Sequence, residues 1–127
     1  MIRLLLLGAI LSLPVRAQNP LQTDPDKYSL VLENARVRVL RYHDRPGEKT
    51  SMHAHPDLVL HALSAFKRRL KLAIGKTWER EFKAGEVFWV DAQMHIGENI
   101  GDTDTNVMIV ELKEPRRQAK NSHPRVR

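Results

Sequence analysis

Residues 47–57 read Gly-Glu-Lys-Thr-Ser-Met-His-Ala-His-Pro-Asp, and residues 85–99 read Gly-Glu-Val-Phe-Trp-Val-Asp-Ala-Gln-Met-His-Ile-Gly-Glu-Asn. The first stretch sets His53 and His55 two positions apart. On an extended strand such positions project to the same side, so the two imidazoles can reach one metal ion. An H-x-H pair alone is more often a surface or locally hydrogen-bonded pair, and a third ligand has to come from elsewhere in the fold. His95, just beyond the apolar run Phe88-Trp89-Val90, is the natural candidate. The chain has no cysteine, which excludes disulfides and thiolate chemistry. Any site must be built from His, carboxylate or hydroxyl groups.

Working outward, the rest of the chain reads as short strands. Tyr28 to Glu33 is an apolar run, closed by a turn at Asn34. Arg36 to His43 is rich in β-formers and partly alternating. Leu58 to Leu63 is another strand, and Leu70, Leu72 and Ile74 alternate with Lys71 and Ala73 up to the turn at Gly75-Lys76. Trp78, Arg80 and Phe82 alternate against Thr77, Glu79 and Glu81. Val87 to Val90 and Val107 to Leu112 complete the set. No stretch outside the N-terminus keeps a helical period. Many short strands with frequent turn signals point to an all-β sandwich or closed barrel. Closure matters for a chain without disulfides, because open strand edges invite aggregation. Trp78, Phe82, Phe88 and Trp89 are read as barrel core. Gly101-Asp102-Thr103-Asp104 lacks the spaced acids of a calcium loop and is read as a turn.

The two ends differ from the middle. Met1-Ile2-Arg3 is followed by an apolar run from Leu4 to Leu13, and Val15 and Ala17 are small residues at the positions a signal peptidase reads. This predicts a signal peptide over 1–17, export to the periplasm or the extracellular space, and no transmembrane segment in the mature chain, since a permanent span needs about 20 apolar residues. Residues 18–27 are polar and proline-containing and are read as an N-terminal arm, 28–114 as the folded domain, and 115–127 as a disordered basic tail. The net charge of +6 is a property of the ends. Of the 21 Lys and Arg, two fall in residues 1–17 and five in residues 115–127, which hold no acid, against 15 Asp and Glu in the whole chain. Residues 18–114 are therefore near neutral. The tail has no aromatic residue for base stacking, so nucleic acid is not an expected partner.

The spacing of the histidines and their neighbours resembles the two sequence motifs of the cupin superfamily. Gly47, His53 and His55 match the first motif, and Gly85, His95 and Asn99 match the second. The segments His53 to Asp57, Lys83 to Trp89, His95 to Thr103 and Val110 to Lys113 resemble a subgroup of small cupins. Two departures stand out. Val59 or Leu60 occupies the place where the first motif carries Glu, and Asp91 and Gln93 replace the Pro and Gly of the second.

This resemblance implies a small cupin barrel, a double-stranded β-helix or jelly roll, and a divalent metal held by His53, His55 and His95. A homodimer is implied as well. Imidazole ligands do not choose among iron, zinc, manganese, nickel and copper. Asp57, Glu98 and Asn99 are the expected groups around the ligands. His61 shares the parity of His53 and His55 and is a candidate to replace the missing Glu, although Pro56 interrupts the strand. His43 and His123 read as surface residues. Three neutral imidazoles leave about +2 on the ion, which favours an anionic or chelating small-molecule ligand. Two functions follow: a dioxygenase- or isomerase-like enzyme, with His61 or Glu98 as general base, or a non-catalytic metal- or ligand-binding module of the cell envelope. A tail-mediated interaction protein is a third class.

Overall fold

The computed structural model describes residues 18–114. The proposed signal peptide and basic tail lie outside the described residues. A short helix α1 (Pro20–Thr23) precedes β1 (Tyr28–Glu33), β2 (Val37–Asp44), β3 (His53–His55), β4 (Leu58–Ala62), β5 (Phe66–Leu72), β6 (Thr77–Phe82), β7 (Val87–Val90), β8 (Gln93–Asn99) and β9 (Thr105–Leu112). They form two antiparallel sheets, one ordered β1-β2-β9-β4-β7 and the other β3-β8-β5-β6. Among the described residues no helix is long and apolar enough to cross a membrane.

Both sheets feed one core. Tyr28, Leu40, Tyr42, Leu58, Ala62, Val107 and Ile109 come from the first and Phe66 and Phe82 from the second, with Leu60, Phe88 and Val90 packed against them. Alternation decides which side chains turn inward. In β9, Thr105, Val107, Ile109 and Glu111 are buried while their neighbours are half-buried. In β8 the buried set is His95, Gly97 and Asn99. A glutamate on the inward face of a core strand needs a partner, because an unpaired buried charge is costly.

The two stretches quoted at the outset are tied to each other. Gly47 N–H donates to Asn99 O at 2.9 Å, Thr50 N–H to Gly97 O at 2.8 Å and Asn99 N–H to Glu48 O at 2.9 Å. Gly47 and Gly85 have φ of 82° and 89°, the left-handed region in which any side chain is strained. Residues 101–104 form the expected irregular turn between β8 and β9.

The aromatic core differs from expectation at two positions. Phe82 is buried and Phe88 partly so, but Trp78 and Trp89 are 36% and 51% exposed. Trp89 alternates with Phe88 and takes the outward side of β7, whereas Trp78 shares the face of Phe82 but stands at the far end of β6, where the strand is exposed. Trp89 adds a hydrogen bond from its indole Nε1 to Asp91 Oδ1 at 2.8 Å. Residues 18–27 are more than an arm: Pro20 is buried in α1 and Asp24, its C-cap, is buried too.

Candidate metal centre

His53 and His55 occupy the two inward positions of β3, and His53 lies directly across from His95 of β8. All three are buried. One nitrogen from each ring lies within 4.8 Å of the other two. The ring centroids are 4.8 Å apart for His53–His55, 4.7 Å for His53–His95 and 5.4 Å for His55–His95.

The far side of each β3 ring is already engaged. His53 Nδ1 sits 2.8 Å from the Ser51 carbonyl oxygen, and His55 Nδ1 sits 2.6 Å from Glu111 Oε1. Both partners are acceptors, so in the neutral rings each Nδ1 carries the proton and donates it. Each Nε2 then presents a lone pair, and the two Nε2 atoms are 3.1 Å apart. Facing lone pairs repel unless something positive lies between them. Two nitrogens held about 2.0–2.1 Å from one tetrahedral zinc are about 3.3–3.4 Å apart. The spacing of the pair is thus within a few tenths of an ångström of what a shared ion requires. His95 Nδ1 is buried with no hydrogen-bond partner among the described residues. Two converging lone pairs and an orphaned imidazole nitrogen fit a divalent metal, with open positions left for an exogenous ligand.

The electrostatics favour neutral rings at His53 and His95. Burial, then the neighbouring His55, lowers the His53 pKa to about 4. Burial, then His53 and His55, takes His95 to about 2. Metal binding therefore need not displace protons from these rings near neutral pH. Glu111 is opposed by burial, which alone would raise its pKa. The hydrogen bond from His55 and the charge of Arg38 outweigh this and hold it below the ordinary value. Arg38 Nε and Nη2 each reach Glu111 Oε2 at 2.6 Å. The result is a continuous line from Arg38 through Glu111 to His55, the arrangement that orients a ligating imidazole. Behind His53, Asp24 Oδ2 lies 3.8 Å from Nδ1. Tyr28 places its hydroxyl 3.1 Å from His53 Nε2.

Of the residues nominated from sequence, His53, His55 and His95 come together. The others lie elsewhere. His61 is exposed on β4, because β3 and β4 belong to different sheets and the passage through Pro56-Asp57 resets the alternation. Asp57 is exposed and accepts from Ala92 N–H at 2.8 Å. Glu98 faces outward and pairs with Arg69 at 3.3 Å. Asn99 is fully buried, but its side chain bonds Asp44 and the Thr103 carbonyl, joining the strands rather than an imidazole. His43 is exposed and pairs with Asp104 at 3.0 Å.

Glu111, Tyr28 and Asp24 surround the imidazoles without having been nominated. A signal for Glu111 was available: it falls on the same parity as Val107 and Ile109 in an apolar strand.

His55 and His95 line a cavity of about 650 Å³ whose other walls include Leu58, Phe66, Phe82 and Ile109. Its chief charge is Arg68, which donates from Nη1 to Asp44 Oδ2 at 2.7 Å and from Nη2 to Tyr42 Oη at 3.0 Å. Gly97 makes room for it: a Cβ there would stand 2.5 Å from Arg68 Nη2.

No family model matches the sequence, and no curated protein matches it. Solved structures do match. A cupin domain from Bordetella pertussis Tohama I is 22% identical with a TM-score of 0.63, the match covering 68% of this chain and 92% of that one. A Klebsiella pneumoniae protein with a double-stranded β-helix domain is 25% identical with a TM-score of 0.51, over 65% of this chain and 69% of that one. The polyketide cyclase RemF from Streptomyces resistomycificus is 17% identical with a TM-score of 0.51, over 68% and 64%. Two antiparallel sheets in this order, and many cupin structures that superpose on them, make this chain a small cupin-fold protein, with a double-stranded β-helix closed around three buried histidines.

Proposed function

We propose that this is an exported metalloprotein in which His53, His55 and His95 hold a divalent ion, and that it acts as an enzyme of dioxygenase or isomerase type on a small anionic or chelating substrate. The observation that carries the reading is the convergence of three buried imidazoles at a largely apolar cavity. A bound divalent ion supplies Lewis acidity and open positions for an oxygen ligand. The chain's own residues do the rest. Ser51 and Glu111 fix the tautomers of His53 and His55, and the apolar walls exclude water, which strengthens every electrostatic interaction inside. RemF supports reading such a cavity as a small-molecule site, while its low identity brings no substrate with it. Residues 1–17 support export, and half-exposed Leu30, Val31 and Leu32 on edge strand β1 support a homodimer.

The test is elemental analysis of the purified mature protein, followed by oxygen uptake with added Fe(II) against a panel of small acids and thiols. One equivalent of metal with turnover is the expected result. Metal without turnover favours a ligand-binding module of the envelope, since the general-base candidates His61 and Glu98 both face away from the imidazoles. No metal, with His53→Ala leaving the melting temperature unchanged, refutes both readings.

A further inference from the structure

Tyr28 is the residue that the metal reading leaves without an explanation. It opens β1, is 6% exposed, and lines the cavity together with His55 and His95. Its ring lies 4.6 Å from that of Tyr42, 5.4 Å from His53 and 5.9 Å from His55 by centroid, so it is clamped rather than free to turn. Among the described residues its hydroxyl has one hydrogen-bond partner, His53 Nε2 at 3.1 Å. Because His53 Nδ1 is committed to Ser51, the hydroxyl must be the donor of that bond.

That bond and a metal–nitrogen bond need the same lone pair. Once His53 binds an ion, the Tyr28 O–H is a buried donor that has lost its acceptor, and it still stands within hydrogen-bonding distance of the coordination sphere. Buried donors are seldom left unpaired. The other hydroxyl nearby, Tyr42, already bonds Asp44. An acceptor for Tyr28 must therefore arrive with whatever binds the ion.

Resting on the metal reading above, we propose that Tyr28 donates a hydrogen bond to an oxygen anion bound at the three-histidine centre, which makes the site selective for small carboxylates over neutral nitrogen donors. A carboxylate oxygen bound to an ion keeps a lone pair for the phenol. A coordinated imidazole nitrogen has none. The net positive charge of a three-imidazole centre acts in the same direction.

The experiment uses the full mature chain loaded with Co(II), with acetate and imidazole as probes, each titrated by the visible absorption of the metal. In Tyr28→Phe, cobalt uptake is retained, acetate binds about tenfold or more weakly, as expected for a lost hydrogen bond to a charged group, and imidazole binding is unchanged. Equal acetate affinity in the two proteins overturns the proposal. So does parallel weakening of both probes, which marks a structural role. If wild-type protein takes up no cobalt, the metal reading itself fails, an outcome separate from either of these. Should Tyr28→Phe not fold, the wild-type ultraviolet difference spectrum decides. A perturbed but protonated tyrosine band on acetate addition supports the donor role. A tyrosinate band on cobalt addition, or no change with acetate, overturns it.

Discussion

His55 and Glu111 face each other at 2.6 Å across the two sheets, from positions 56 residues apart in the chain. The carboxylate is held from behind by Arg38, so it can neither swing away nor pick up a proton easily. Glu111→Gln keeps the shape and removes the charge. It is expected to weaken metal binding by about 10–100-fold, measured by competition against a chromophoric chelator. Unchanged affinity would show that the pair serves the fold alone.

Acid should unfold the metal-free protein early. The folded state holds His53 and His95 at about 4 and about 2, against an ordinary value of 6.5. The unfolded chain therefore binds protons first, and stability is lost as pH falls from about 6.5 towards those lower values. At about pH 5 the expected loss is about 2 kcal/mol from each histidine. Glu111, held below its ordinary value of 4.5, adds to the loss at lower pH still. Urea unfolding with chelator present, at about pH 7.5 and about pH 5, measures the difference, and equal midpoints would contradict it.

Arg68 is the counter-charge of a buried acid. Asp44 is 1% exposed and bonds Arg68, Tyr42 and Asn99. Arg68→Met strands that acid and should cost about 3–5 kcal/mol in a denaturant melt. Gly97→Ala pushes against the same guanidinium and should destabilise by a smaller amount.

His61→Ala is expected to leave both metal stoichiometry and thermal stability unchanged within about 0.5 kcal/mol, because the side chain is exposed on the outer face of β4. Loss of metal in this variant would mean that β4 contributes to the site after all.

Much of this was legible in the sequence, for reasons that can be named. His53 and His55 share a face because a strand repeats every two residues, and that rule holds within three residues of chain. The same rule misplaces His61, since counting in twos assumes one unbroken strand and Pro56-Asp57 carries the chain from one sheet to the other. Most strands were visible as apolar or alternating runs, and Gly47 and Gly85 as turns, but β8 (Gln93–Asn99) was not read as a strand, because four of its seven residues are polar and one is glycine. Asp57, Glu98 and Asn99 were nominated for nearness in sequence to the histidines. The partners found around the rings, Glu111 and Asp24, are near only in space, and sequence distance carries no information about that. Trp89 shows the complementary limit: aromatic character predicts burial on average, but strand parity sets it opposite to Phe88, while Trp78 shares the parity of buried Phe82 and is exposed because β6 is covered only at its Phe82 end.

The first described residues have a practical consequence. Gln18 O accepts from Ala54 N–H at 3.0 Å, Asp24 Oδ1 accepts from Ser51 N–H at 2.9 Å, and Pro20 is buried between them in sequence. Residues 18–24 therefore brace the very strand on which two of the imidazoles stand. Trimming the chain to begin at Tyr28, where the barrel starts, would keep every strand yet leave β3 without its outer support. Versions of this protein prepared for metal work should start no later than Gln18, and a protease that nicks this leading segment would act on the histidines from a distance.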